Sequence, residues 1–114
     1  MSAPPFTLLF TDEAQRVLDE LSKPAHAIKL KKVTKTLRLL RDIGPGHPGL
    51  NSHKYQSLTG PGGEEVWESY VENKTPGAWR LWWVYGPGAD TLTIVTVGPH
   101  PSTHYAEPIS DRVH

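Results

Sequence analysis

Residues 78–85 read Ala-Trp-Arg-Leu-Trp-Trp-Val-Tyr, between Pro76-Gly77 on one side and Gly86-Pro87-Gly88 on the other. Aromatic and branched residues bounded by turn formers predict a strand. The pleat sends Trp79, Leu81, Trp83 and Tyr85 to one face, and Ala78, Arg80, Trp82 and Val84 to the other. Strands are predicted on either side, at Val66–Glu72 and Thr91–Val97, with turns at Asn73–Gly77 and Gly86–Asp90. In the first, Trp67, Ser69 and Val71 oppose Glu68, Tyr70 and Glu72. The more apolar sets are expected to meet a helical layer. The other face then gathers Glu68, Tyr70, Arg80 and Trp82, an unusual group to offer plain solvent.

The helical layer lies upstream. Residues 5–10 read as a short strand, and Thr11 as the N-cap of a helix whose first turn holds Asp12 and Glu13. Ala14, Val17, Leu18 and Leu21 give it one apolar side. Ser22-Lys23-Pro24 breaks it, and Pro24 suits the first turn of a second helix. There Leu30, Val33, Leu37 and Leu40 form the apolar side and Lys31, Lys35 and Arg38 line another. Asp42-Ile43-Gly44-Pro45 stops it. Residues 44–63 read as a Gly/Pro-rich connector, and 98–105 as a loop. The fold class is therefore α+β, in the order β-α-α-β-β-β: a helical hairpin on a small, mainly antiparallel sheet. One domain is expected over residues 1–114, with its core in 6–105 and a polar tail at 106–114 that frays.

The chain has 114 residues, with 12 Lys+Arg against 12 Asp+Glu and no cysteine. The neutral total excludes nucleic-acid binding by bulk charge. It conceals an asymmetry: residues 1–22 carry −3, residues 23–54 carry +7 and residues 55–114 carry −4. A local basic patch, on the second helix and the connector, is thus available for phosphates or an acidic partner. The lack of cysteine removes disulfides and thiolate chemistry and suits a reducing compartment. The amino terminus has no basic, apolar leader, so no signal peptide is expected. No run approaches a membrane span, and a cytoplasmic protein with no membrane partner is expected. His100 and His104 have a spacing found in zinc sites, but no third ligand accompanies them, so neither a metal nor another cofactor is expected.

The ordered elements resemble the RelE/ParE toxin superfamily. Lys54-Tyr55-Gln56-Ser57-Leu58-Thr59-Gly60 is similar to that family's connector, Ala78–Trp83 to its aromatic-Arg-Leu strand, and Val95-Thr96-Val97-Gly98-Pro99-His100 to its last strand and the following loop. The resemblance implies a small bacterial toxin neutralised by a cognate antitoxin. In the RelE-like branch such toxins cut mRNA on the ribosome. In the ParE-like branch they poison DNA gyrase, and a scaffold that has lost its chemistry is a third possibility.

The RelE-like reading is favoured by residues suited to attack by a 2′-hydroxyl. That reaction needs a base, a cation for the crowded phosphorane and an acid for the leaving oxygen. The resemblance places Arg80 on the phosphate and His100 as the acid. It places Tyr105, with His104 beside it, against a substrate base or a moving proton. Glu68 and Tyr70 stand where well-known relatives carry lysines; Glu68 is either the general base or a surface carboxylate, and Tyr70 is expected to contact RNA. His53 and Lys54 restore cationic character near the site. Trp82, on the same face as Arg80, is the indole suited to an RNA contact, whereas Trp79 and Trp83 belong to the core. Lys31, Lys35 and Arg38 face rRNA phosphates in this reading.

Overall fold

The computed structural model describes residues 3–100. Strand β1 (Thr7–Phe10) leads into helix α1 (Asp12–Leu21); a 3-10 turn at Pro24–His26 precedes helix α2 (Ala27–Asp42). A second 3-10 turn, Pro48–Leu50, is followed by β2 (His53–Thr59), β3 (Glu65–Tyr70), β4 (Trp79–Tyr85) and β5 (Thr91–Pro99). The sheet order is β1-β5-β4-β3-β2. β1 runs parallel to β5, and the other pairings are antiparallel. This is the α+β arrangement read from the sequence, with one more strand.

The helices form where sequence placed them, for the reasons it gave. Thr11 Oγ1 accepts a hydrogen bond from the Ala14 amide at 3.1 Å, and Asp12 and Glu13 occupy the first turn. The same hydroxyl donates to the Val95 carbonyl at 2.6 Å, which ties the start of α1 to β5. Ala14 and Leu21 of α1, with Val33 and Leu40 of α2, are buried against Leu81, Trp83, Leu92, Ile94 and Val97. Lys31, Lys35 and Arg38 stay exposed on α2. The indole N–H of Trp83, buried in this layer, donates to Ser69 Oγ at 2.8 Å, so its polar atom is satisfied.

The sheet is covered on its other face as well. Leu58, Val66, Trp82, Val84 and Val95 form a second apolar cluster, with Tyr55 packed on it. The pleat inferred for residues 78–85 therefore holds: Leu81 and Trp83 meet the helices, and Trp82 and Val84 face away. In β5 the register shifts opposite Trp82/Trp83, the signature of a bulge. This lets Ile94 and Val97 share the helical face while Val95 joins the far one.

Two sequence-based expectations change. The connector over 44–63 contains a strand, β2, paired with β3 from His53↔Glu68 to Thr59↔Glu65. Its residues are mostly polar because it is an edge strand, so the apolar signal of an inner strand is missing. Glu72 does not share the face of Glu68 and Tyr70. The amides of Val71 and Glu72 both donate to the Trp79 carbonyl, at 3.0 Å each, and this irregularity sends Glu72 to the helical side. There its carboxylate accepts from Lys29 Nζ at 2.7 Å, Lys32 Nζ at 2.9 Å and the Trp79 amide at 3.1 Å.

The Lys29 hydrogen bond, supported by Lys32 and the Trp79 amide, holds the Glu72 carboxyl down at about 2. The folded state thus prefers the ionised form more than the unfolded chain does. The resulting stability is fully present above about pH 4.5 and is lost as the pH falls from there towards 2. Urea midpoints measured across that window are expected to drop for the wild-type chain, and Glu72→Gln is expected to flatten that drop.

Candidate active site

Three strands and the end of a fourth bring the site together on the face away from the helices. Glu68 lies on β3, with His53 directly opposite on β2 and Trp82 opposite on β4. Arg80 on β4 faces Tyr70 on one neighbour and Gly98 on the other. His100 follows β5, and its amide donates to the Ala78 carbonyl at 2.8 Å. Because Gly98 has no side chain, open space remains next to Arg80 on this face.

Glu68 is the centre. Only 2% of it is exposed, which is rare for a carboxylate unless it is paired. Oε1 lies 2.7 Å from His53 Nε2 and 3.9 Å from Arg80 Nε. Oε2 lies 3.5 Å from His100 Nε2. Arg80 stacks over the Tyr70 ring, with its guanidinium carbon 3.7 Å from the ring centroid. Nη1 of Arg80 donates to the carbonyls of Glu72 and Trp79. Those bonds fix the plane of the guanidinium and leave Nε and Nη2 for other acceptors. Among the described residues, Glu68 Oε2, Arg80 Nε and Trp82 Nε1 are buried without a hydrogen-bond partner. An unsatisfied carboxylate oxygen beside an unsatisfied guanidinium N–H costs folding free energy.

Tyr55 joins this group, although the sequence reading used it only as part of a motif. Its ring lies 5.6 Å from that of Trp82 and edge-on to His100 at 6.2 Å. Burial, then the nearby charge of Glu68, raises the Tyr55 phenol above its ordinary value, so it stays protonated. Its signal in the sequence was the alternation of His53 and Tyr55, visible only once residues 53–59 are read as a strand.

The structure thus brings Glu68, Arg80, His53, His100 and Tyr70 together. Other expectations need correction. Trp82 is 1% exposed, covered by Tyr55 and Leu58 of β2, and offers no surface to RNA. Lys54 pairs opposite Trp67 and lies on the helical face; its ammonium sits 5.8 Å from the Trp67 ring centroid and 3.4 Å from Glu65. A one-residue step along β2 separates it from His53, and in a strand that step reverses the face. Lys31, Lys35 and Arg38 are carried by α2, on the helical side of the sheet, and are not part of this cluster. His104 and Tyr105 lie outside the described residues. No group of three or more His, Cys, Asp or Glu side chains arranged to hold a metal occurs among the described residues.

No family model matches the sequence, and no curated protein matches it. Solved structures do share its fold. The YoeB dimer from Staphylococcus aureus superposes with a TM-score of 0.61 at 15% identity, covering 84% of this chain and 98% of that one. The archaeal RelE–RelB complex from Pyrococcus horikoshii superposes with a TM-score of 0.56 at 13% identity, covering 83% of this chain and 94% of that one. The architecture of two helices on a mixed five-stranded sheet is the fold this chain shares with these YoeB and RelE structures. No helix among the described residues is long and apolar enough to cross a membrane.

Because Trp82 is core, its removal acts on stability. Trp82→Ala is expected to cost about 3 to 5 kcal/mol in urea unfolding, the range for truncating a buried large aromatic.

Proposed function

We propose that this chain, built on the fold of the YoeB and RelE toxins, is the toxin of a toxin–antitoxin pair and cleaves mRNA on the ribosome without a metal. The observation that carries the reading is the burial of Glu68 among Arg80, His53 and His100, with Glu68 Oε2 and Arg80 Nε unpartnered. A base, a cation and an acid stand within one side chain's reach of each other.

In the reaction, Glu68 Oε2 accepts the proton of the 2′-hydroxyl as the 2′-oxygen bonds to phosphorus. Arg80 neutralises the developing phosphorane through its guanidinium charge. The bond from phosphorus to the 5′-oxygen breaks, and protonated His100 gives its proton to that oxygen. One proton is taken and one is returned, leaving a 2′,3′-cyclic phosphate and a 5′-hydroxyl. The stacked Tyr70 holds the Arg80 plane. Tyr105, with His104, supplies the stacking contact to the substrate base that the family resemblance implies. Lys31, Lys35 and Arg38 meet ribosomal RNA phosphates, a contact with steep salt dependence. The RelE structure from Pyrococcus horikoshii was determined in complex with RelB, and for this chain a cognate antitoxin is the corresponding partner. The protein acts in the cytoplasm in this reading.

Induced expression in bacteria is expected to halt growth and shorten transcripts, with new ends visible by mapping of mRNA 5′ termini. Glu68→Gln, Arg80→Ala and His100→Ala are each expected to lower cleavage of a defined mRNA on 70S ribosomes, on the order of 100-fold or more. Toxicity that survives all three changes and comes with DNA damage and intact transcripts would instead place the chain with the gyrase poisons.

A further inference from the structure

His53 stands out because both of its ring nitrogens face oxygen. Nδ1 lies 2.7 Å from the Asn51 carbonyl, and Nε2 lies 2.7 Å from Glu68 Oε1. A carbonyl only accepts, so Nδ1 carries a proton. The neutral ring holds one proton, and that one is then spent on Asn51. The short contact from Nε2 to Oε1 therefore needs a second proton between them. For Glu68 to be a base that proton sits on nitrogen, since on oxygen it would leave a neutral acid; Nε2–H then donates to Oε1, and Oε2, 3.5 Å from His100 Nε2, is the carboxylate oxygen that His53 does not hold.

The surroundings of His53 are built to keep this arrangement. Asn51 adopts the left-handed backbone conformation, with φ 46° and ψ 45°, at the end of the 3-10 turn Pro48–Leu50. Asn is among the few non-glycine residues that accept it. Leu50, 1% exposed, anchors that turn in the helical core, so the Asn51 carbonyl is aimed by packing. Ser52 Oγ lies 2.8 Å from Ser69 Oγ, which itself accepts from the buried Trp83 indole. The residue before His53 is thus tied to β3 and to the core. The groups around the ring are Glu68 and Tyr70 from β3, Tyr70 edge-on at 6.0 Å, with Arg80 from β4 and His100 after β5 reaching the same carboxylate.

We infer that His53 is the positioning residue of Glu68: held by Asn51 and hydrogen-bonded to Oε1, it orients the carboxyl so that Oε2 is the oxygen that meets the substrate hydroxyl. This rests on the reading of Glu68 as the general base. It differs from a role for His53 as a phosphate-binding cation. A cation on the phosphate acts on substrate binding, whereas a positioning residue acts on the chemical step.

Two measurements on the full chain test it. In the mRNA assay, His53→Ala is expected to lower kcat on the order of tenfold or more, about 1.4 kcal/mol per factor of ten, with KM little changed. His53→Gln, whose amide can donate to Oε1, is expected to restore most of kcat and to remove the limb of the pH–rate profile that belongs to the imidazole. Independently of activity, nitrogen-15 NMR of the wild-type imidazoles is expected to show His53 in the Nδ1–H tautomer when it is neutral. The two-donor arrangement should disappear in Glu68→Gln. A loss confined to KM, a glutamine variant no better than alanine, or an Nε2–H tautomer would each overturn the inference. A wild-type chain that cleaves no RNA would sink the proposed function, and the NMR result would then decide the role of His53 alone.

Discussion

A carboxylate taken out of water is unfavourable unless charge and hydrogen bonds replace what water supplied. Glu68 imposes that condition on the far half of the sheet. Its position between His53 and Trp82 in the register means that the compensating groups come from both neighbouring strands. Arg80 in turn has to be held, and Tyr70 and the carbonyls of Glu72 and Trp79 hold it. The irregularity after β3 that sends Glu72 towards the helices is also what leaves its carbonyl for Arg80. Geometry on one face and ion pairing on the other are linked through a single residue.

The two faces divide the work. The helical face holds the larger apolar cluster, with polar atoms satisfied, as at Trp83 and Ser69. The far face carries a smaller cluster, and its remaining area holds Glu68, Arg80 and the two histidines. Trp82, Val84 and Val95 form a dry floor next to the polar group, and low-dielectric walls strengthen charge interactions beside them. The indole of Trp82 thus contributes from beneath the site, as part of its foundation.

Much of this was legible in the sequence, for physical reasons. The 3.6-residue repeat of Leu30, Val33, Leu37 and Leu40 and the two-residue alternation of residues 78–85 each report burial on one side, and both sides proved right. The alternation also put Glu68, Tyr70 and Arg80 on a shared face before any contact was known. Other features were hidden. β2 carries one buried apolar residue, Leu58, between Gly/Pro-rich flanks, so it reads as a loop. Missing it made the far face look uncovered, made Trp82 look exposed, and put Lys54 beside His53. The displacement of Glu72 depends on a shared acceptor, the Trp79 carbonyl, which no local pattern announces. The proton arrangement at His53 depends on a backbone carbonyl, which side-chain identities do not report.

β1 is an edge strand whose sheet neighbour is β5, and Thr11 reaches a carbonyl 84 residues further along the chain. Pairing across so long a separation is entropically costly and slow. During synthesis, the first strand to be made waits for the last before the sheet can close. His100 directly follows β5, so the proposed acid arrives together with the strand that completes the fold. A nascent chain lacking β5 has neither a finished sheet nor the full group of side chains around Glu68. The same connectivity that fixes the architecture thus makes the placing of His100 beside Glu68 wait on the pairing of β5.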